Sequence, residues 1–508
     1  MSTTEIKPKE FFGHPAGLQT LFFTEMWERF SYYGMRALLV LFMTASIQEG
    51  GLLITVASAG AIYGLYTGAV YFMGLPGGWI ADRLIGSQQA VWYGGIIIFI
   101  GHLILAIPSD KTFFVGLIFV VLGTGLLKPN IGAMVGQLYS AEDERRDAGY
   151  TLYYMGINIG SLLAYISVGP LKEAGLWHWA FGLAAVGMLA GLIQYKLTRH
   201  KLGSAGAEPT IKSSPKTVKI SWTVITLFLV VLATVTGLAL LEVITLDPVS
   251  LAKLVTGIIA TLFFGFYGYI FFLGKLNSRE KKNLGALFWV CIASTCFFAG
   301  FELAGSSLNL FAQDYTNRIM GSFTIPTIWF QNSNPFFIIT LSPFIAALWI
   351  NLAKKMISPT YGVKAGIGLV IMATGFIVMF FAAQQAASGL KVAPYWLVTT
   401  YFFHTVGEIC LSPTALSAVS KLSPKRFAGQ MMGVFVLTYA MGNLVSGLLA
   451  GQFDPNQVDQ MPGLYLQIAV FGIGVGIAVG IISYMTKSWE KVEVEEEAPQ
   501  ASNNLSNA

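Results

Sequence analysis

The chain has 508 residues, 55% of them hydrophobic and only 11% Asp, Glu, Lys or Arg. Soluble domains run at about 25% charged, so this composition excludes a string of water-soluble domains and fits one polytopic membrane bundle. A net charge of +5 invites a nucleic-acid reading, which the placement of those charges argues against. In chain order, residues 1–17 read as a short cytoplasmic terminus: the first 15 are polar and lack the apolar core of a cleaved signal. Apolar stretches long enough to cross a bilayer then recur near 18–46, 54–80, 89–107, 113–138, 148–169 and 176–198, giving a first six-helix bundle over 18–198. Residues 199–220, rich in Ser, Gly, Lys and Pro, read as a cytoplasmic linker. Spans near 221–245 and 250–274 make a two-helix insertion over 221–274. Six more, near 284–312, 327–356, 363–387, 394–420, 428–450 and 463–487, make a second bundle over 284–487. Residues 488–508, with Glu493, Glu495, Glu496 and Glu497 followed by Asn and Ser, read as a disordered cytoplasmic tail. Fourteen spans predict an all-α membrane protein with both termini on one side. Cys291, Cys296 and Cys410 lie inside apolar segments without disulfide or zinc spacing, so no metal site is expected.

The 31 Lys and Arg test that topology. The face carrying the termini and alternate loops receives 23 of them. The opposite face receives only Lys111, Lys172, Lys253, Arg318 and Lys391. This asymmetry predicts cytoplasmic termini, and it makes the basic balance a matter of topology and not of nucleic-acid binding. Arg29, Arg36 and Lys128 remain, inside spans.

An internal repeat supports two related halves. Near 153 the chain reads YYMGINIGSLLA and near 438 TYAMGNLVSGLLA; Asn158 and Asn443 each follow a Tyr, Tyr154 or Tyr439, by four residues. Both fall in the fifth span of their half. The fourth spans correspond as well, with Lys128-Pro129 in one and Glu408 with Pro413 in the other. Interrupted helices at matching positions point to a transport site.

A charge at a helix centre costs roughly 2.5–3.5 kcal/mol on insertion scales, so the few that are present need a use. Glu25, Glu28, Arg29, Tyr32 and Arg36 share an arc of about 100° on the first span, with Tyr33 just outside it. Glu25 and Arg29 are i,i+4 partners that can neutralise each other locally; Arg36 has no acid near it in its own helix. A structural ion-pair cluster accounts for the first three and leaves Arg36 unexplained. Lys128 needs an acid partner or a ligand. The second half holds acids instead: Glu302, followed on the same helical face by Ser306 and Asn309, and Glu408, with His404 and Ser412 one turn to either side. His404 reads better as a packing residue, and Glu242 as a group snorkelling from a span end. Together the halves predict a dipolar pocket, with Arg36 and Lys128 facing a carboxylate and Glu302 and Glu408 facing an amine. Tyr32, Tyr33, Tyr71, Asn158 and Asn334 would add neutral hydrogen bonds.

These residues resemble the proton-dependent oligopeptide transporter family of the major facilitator superfamily. Its E-x-x-E-R hallmark stands as Glu25-Met26-Trp27-Glu28-Arg29, and its second-helix segment runs from Gly77 to Gly86. The fifth-helix signature spans Tyr153 to Ser161, and the G-E-x-x-x-S-P element is Gly407-Glu408-Ile409-Cys410-Leu411-Ser412-Pro413. The resemblance covers about residues 15–487, and the two-helix insertion looks like that of a bacterial member. It implies the major facilitator fold and proton-driven uptake of di- and tripeptides across the bacterial inner membrane. Arg36 and Lys128 would hold the peptide carboxylate and Glu408 its amino terminus, with Tyr32, Tyr33, Tyr71, Asn158, Asn334 and Ser412 lining the pocket. Glu25, Glu28, Arg29 and Lys128 would serve proton coupling. Two departures matter. Ile62-Tyr63-Gly64 stands where some members carry a His, and Glu302-Leu303-Ala304 where many carry Glu-Glu-Gln. A gate must then use Arg36 with Glu302 or Asp314.

The expected partners are peptides, protons and the bilayer, with no cofactor, nucleic acid or obligate protein partner. A transporter of nitrate, an amino acid or a drug on the same fold is the nearest alternative. A membrane enzyme fits poorly, since neither a nucleophile motif nor a metal cluster is present.

Overall fold

The computed structural model describes residues 10–140, 142–355, 358–453 and 457–490. The tail beyond Glu490 and the first nine residues, both given roles above, lie outside them. The first bundle comprises α1 (Gly17–Thr44), α2 (Val56–Ile80), α3 (Ser87–Leu105), α4 (Asp110–Gln137), α5 (Arg146–Glu173) and α6 (Trp177–Thr198). The pair α7 (Pro215–Leu240) and α8 (Pro248–Gly268) follows. Next come α9 (Ser278–Phe301), the short α10 (Ser307–Asp314), α11 (Ser333–Lys354), α12 (Tyr361–Ala387), α13 (Tyr395–Leu422), α14 (Ala428–Ala450) and α15 (Met461–Met485).

Twelve described helical segments are long and apolar enough to cross a membrane. The two long helices outside that set are α1, with Glu25, Glu28, Arg29 and Arg36, and α13, with Glu408. In α1 the charges singled out above lower the hydropathy, and in α13 Glu408 does so together with several Thr, Ser, Tyr and His residues.

Local chemistry sets several helix starts. Ser214 accepts a hydrogen bond from the Thr217 amide and Pro215 occupies the first turn of α7. Asp247 and Pro248 do the same for α8, and Asn277 with Glu280 forms a reciprocal capping box on α9. The cap at Ser214 starts α7 six residues before the expected span, because a helix runs past the membrane wherever its first turn is satisfied.

The sequence 199–220 is correspondingly not a free tether. The Gln88 side chain donates to the carbonyls of Gly203 and Ala205, the Gly206 amide donates to Gln137, and the Ile211 amide donates to the Asp82 carbonyl. Leu202 and Ala205 are buried, so this stretch is sewn onto the end of the first bundle.

Within the first bundle α1 packs on α5 and α6, α2 on α4, and α3 on α4 and α6. Within the second, α9 packs on α12, α14 and α15, α12 on α13 and α15, and α11 on α13. Matching close approaches reveal the pseudo-symmetry. Gly94 meets Gly123 between the third and fourth spans of the first half, and Gly368 meets Gly407 between those of the second. The repeated asparagines also match: Asn158 Nδ2 donates to the Tyr154 carbonyl at 3.1 Å and Asn443 Nδ2 to the Tyr439 carbonyl at 2.9 Å.

The bundles meet along α2 and α14, along α5 and α11, and where α1 touches α10. At the first of these, a Cβ on Gly64 would stand 2.9 Å from Gly447 Cα and 3.0 Å from the Asn443 carbonyl. Only glycine lets these backbones approach so closely. The insertion packs on α2 and α14 through α8, while Ser221 is the sole buried residue of α7. An all-round apolar helix of this kind faces lipid.

The ninth span corrects the sequence reading. It is not one helix: α9 ends at Phe301, a tight turn runs through Glu302–Gly305, and α10 restarts at Ser307. The segment Ala304-Gly305-Ser306-Ser307 has little to hold a helix together, and the break redirects Glu302 and Asn309 separately onto α1.

Candidate functional site

Glu25, Glu28 and Arg29 are almost fully buried on one face of α1. The Arg29 guanidinium forks onto Glu28, with Nη2 donating to Oε1 at 2.7 Å and Nε to the other oxygen. Its Nε also lies 3.2 Å from Glu25 Oε1. Two carboxylates thus share one guanidinium, leaving one negative charge in excess. The second oxygen of Glu25 has no hydrogen-bond partner among the described residues.

Lys128, beside Pro129 in α4, supplies the balancing charge at longer range, within electrostatic reach of Glu25 and Glu28. It makes no ion pair with an acid among the described residues. Its ammonium instead lies 4.3 Å from the centre of the Tyr71 ring, and Tyr71 stacks on Tyr439 of the opposite bundle at 5.4 Å and 17°. A cation–π contact neutralises nothing, so Lys128 remains available to an anion.

Further along α1, the Arg36 guanidinium crosses to the second bundle. Its Nη2 lies 2.9 Å from Glu302 Oε2, with both side chains under 10% exposed. This is an ion pair by distance; the N–H does not point along it, and that Glu302 oxygen accepts no well-aligned hydrogen bond. The aligned bond of Arg36 goes from Nε to the Tyr63 hydroxyl at 2.7 Å. Tyr33 lies between the two arginines, 5.9 Å from Arg29 and 5.6 Å from Arg36, and Tyr32 faces Arg29 at 4.9 Å. The four-charge pocket expected from the sequence is therefore halved in this conformation. Arg36 and Glu302 satisfy each other, and among the described residues no ion pair joins Arg36 to Asp314.

Glu408 is the remaining acid. One carboxylate oxygen accepts from Asn334 Nδ2 at 2.9 Å, and the same amide nitrogen donates to Thr405 Oγ1 at 3.1 Å. No cation pairs with it among the described residues. Ser412 Oγ, one turn away, is buried without a hydrogen-bond partner among the described residues. Tyr154 of α5 lies within electrostatic reach of Glu408, Tyr33 and Tyr439, yet it is 45% exposed. A side chain close to groups of both bundles and still accessible marks an open space between them.

The opposite end, where α1 finishes and α2 begins, is closed. There Arg36 meets Glu302, Asn309 Nδ2 donates to the Ala37 carbonyl at 2.8 Å, and Gly64 meets Gly447. A further cross-link was not foreseen. Glu173, at the end of α5, accepts from the Thr327 amide and hydroxyl, both at 2.8 Å, and lies 3.0 Å from Arg318 and 3.4 Å from Lys172. Lys172 and Arg318 are two of the five basic residues on the sparsely charged face, which was the available signal. Tyr63 and Tyr439 were noticed only as a departure and as a repeat marker; their roles depend on which helices face each other.

His404 packs on Phe376 at 4.8 Å with neither ring nitrogen bonded, as a packing histidine would. Glu242 sits 3.8 Å from Lys111 on the surface.

Two helical bundles with buried charges between them, closed at one end and with an open space beside Tyr154, define a multi-pass membrane transporter of the major facilitator fold. The POT family profile matches residues 88–465, and the chain belongs to that family. It is 40% identical over 484 residues to a protein named peptide transporter YePEPT from Yersinia enterocolitica subsp. palearctica, covering 92% of this chain and 94% of that one. It is 34% identical over 496 residues to a di-/tripeptide transporter of Lactococcus lactis subsp. cremoris, covering 94% and 96%. Among solved structures, peptide transporter POT in complex with sulfate superposes with a TM-score of 0.88 at 36% identity, covering 95% of this chain and 97% of that one. A POT family transporter in complex with 5-aminolevulinic acid gives 0.86 at 30% identity, covering 95% and 99%.

Proposed function

We propose that this protein takes up di- and tripeptides by proton-coupled symport with alternating access. The observation that carries the reading is the pair of charges left without an ionic partner between the bundles: Lys128 on α4 and Glu408 on α13. They present a cation and an anion from opposite halves, which suits a zwitterion whose charged ends are separated. Tyr32, Tyr33, Tyr71, Asn158, Asn334 and Ser412 supply the neutral lining.

Coupling follows from charge balance. With Lys128 nearby, Glu25, Glu28 and Arg29 sum to zero; once a peptide carboxylate engages Lys128, the trio carries an unbalanced negative charge. A proton on Glu25 or Glu28 restores the balance, so peptide and proton favour each other's binding. In this reading the termini are cytoplasmic, the membrane is a bacterial inner membrane, and the closed end faces outward. The coupling ion is H+, and the protein works as a carrier, not an enzyme, with no cofactor, nucleic acid or obligate protein partner. One proton moving down about 100 mV releases about 2.3 kcal/mol, and a tenfold proton gradient adds about 1.4. Together these support several-hundred-fold accumulation of a neutral peptide.

The test is uptake of labelled dialanine into proteoliposomes with and without an inward proton gradient. Lys128→Ala and Glu408→Gln are each expected to lower gradient-driven uptake by roughly a hundredfold, in line with an unpaired buried charge costing about 3 kcal/mol. Equal uptake without a gradient refutes coupling, and competition by free alanine as strong as by dialanine favours an amino-acid carrier.

A further inference from the structure

A second charged cavity lies away from the transport path, where α8 hands over to α9. It has a volume of about 440 Å³ and is lined by Phe271, Leu276, Ser278, Lys281, Lys282, Gly285 and Trp489. Trp489, in the short turn after α15, closes one wall by lying over Gly285, where a Cβ would come within 2.8 Å of its ring.

Lys281 and Lys282 make no ion pair among the described residues. The acids nearest in sequence are committed elsewhere. Glu280 accepts from the Asn277 amide at 2.9 Å and faces Arg426 at 3.4 Å. Glu490 accepts from the amides of Tyr361 and Gly362, at 2.6 and 3.3 Å, at the start of α12. Lys281 and Lys282 therefore both line a cavity that, among the described residues, holds no acid of its own.

The cavity's height in the fold indicates which anion it takes. The helical segment that starts with α8 runs on to Leu273, and α9 opens at Ser278 on the polar run 278–283 and turns apolar only from Leu284, so the lysines stand just beyond the hydrocarbon, at the level of the headgroups. Phe272 and Leu273, at 76% and 70% exposure, continue the cavity's apolar wall in the helical turn 269–273 that follows α8. We propose that this cavity binds the headgroup of an anionic phospholipid, with the phosphate on Lys281 and Lys282, Ser278 donating to it, and the acyl chains following α8. Basic pockets at helix junctions recognise such headgroups, and an aromatic side chain at this depth is a usual interfacial anchor. A free phosphate ion would use the lysines but gain nothing from Phe271, Leu276 and the exposed stripe beyond them.

The test is native mass spectrometry of the full-length protein in detergent, titrated with phosphatidylglycerol, phosphatidylcholine or inorganic phosphate. Phosphatidylglycerol should be retained over phosphatidylcholine, and Lys281→Gln with Lys282→Gln should weaken its retention about thirtyfold. Circular dichroism checks that the variant is folded, and Lys354→Gln with Lys355→Gln, which removes the same two charges elsewhere, serves as a charge-matched control that should change nothing. Equal retention by the double variant overturns the proposal, as does displacement of the lipid by inorganic phosphate at similar concentration. A third outcome also overturns it: if lipid binds only after Glu493, Glu495, Glu496 and Glu497 are changed to Gln, the cavity serves the chain's own acidic tail.

Discussion

Replacing Glu302 by Gln keeps the side chain's shape and removes its charge, which isolates what the Arg36 pair does. The charges lie 2.9 Å apart and are 8% and 4% exposed, so solvent screens them little. At an effective dielectric near 20 their attraction is about 6 kcal/mol before desolvation. Removing one member of such a buried pair costs about 3–5 kcal/mol, because the other charge is left uncompensated. Tyr63 and Tyr33 remain beside Arg36 but carry no charge. When the closed end opens, water reaches the guanidinium, so the cost falls on the closed state alone. The ratio of closed to open should drop by roughly two to three and a half orders of magnitude. Spin labels at Ile47→Cys and Leu390→Cys, both on exposed loops of that end, would read the separation in a background lacking Cys291, Cys296 and Cys410. The expected result for Glu302→Gln is a shift to longer distances, partly reversed by Arg36→Gln, which removes the stranded charge. Unchanged distance distributions would refute the idea that this pair holds the end shut.

Glu173→Ala removes the acceptor shared by Thr327, Arg318 and Lys172, and should lower thermal stability by about 1–3 kcal/mol and widen the same spin-label distance; the loss should be smaller for Glu173→Gln, which keeps an acceptor for Thr327. Gly64→Val sets a branched side chain against the Gly447 backbone and should abolish uptake and lower the melting temperature, whereas Gly429→Ala, which meets nothing within 4 Å, should do neither. Burial holds the Glu490 carboxyl above its usual range despite the amides that oppose the shift. The folded protein therefore keeps this proton more tightly than the unfolded chain. The stabilisation is full below about pH 4.3 and is lost as pH rises through the folded value. Glu490→Gln should flatten that part of the melting-temperature profile, and an unchanged slope would remove Glu490 as its source.

Much of the site was legible because charge in a membrane is costly. Glu25, Glu28, Arg29, Arg36, Lys128, Glu302 and Glu408 stand out by type and depth; the structure pairs the first three on α1 and carries Arg36 across to Glu302 of the second bundle. Pairing was not legible. Within one helix, i,i+4 spacing connected Glu25 to Arg29, but Arg36 and Glu302 are 266 positions apart in the sequence and meet only because the ninth span breaks at Glu302–Gly305. Likewise Asn334 reached Glu408 through the packing of α11 on α13, and Lys128 settled over Tyr71 instead of beside an acid.

The sequence by itself determined the number of the spans, the kinship of the halves and the identity of the buried charges, since each is a local consequence of hydropathy or repeated pattern. Tertiary structure alone decided which charges are spent and which are free. It joined Arg36 to Glu302, gathered Lys172, Glu173 and Arg318 at the closed end, and left Lys128 and Glu408 without ionic partners. Coulomb attraction and desolvation depend on distances of a few ångströms between helices, and no spacing along the chain encodes those. The 11% of charged residues thus marked a membrane protein, and the fold then separated the charges that close one end from the pair that has no ionic partner among the described residues.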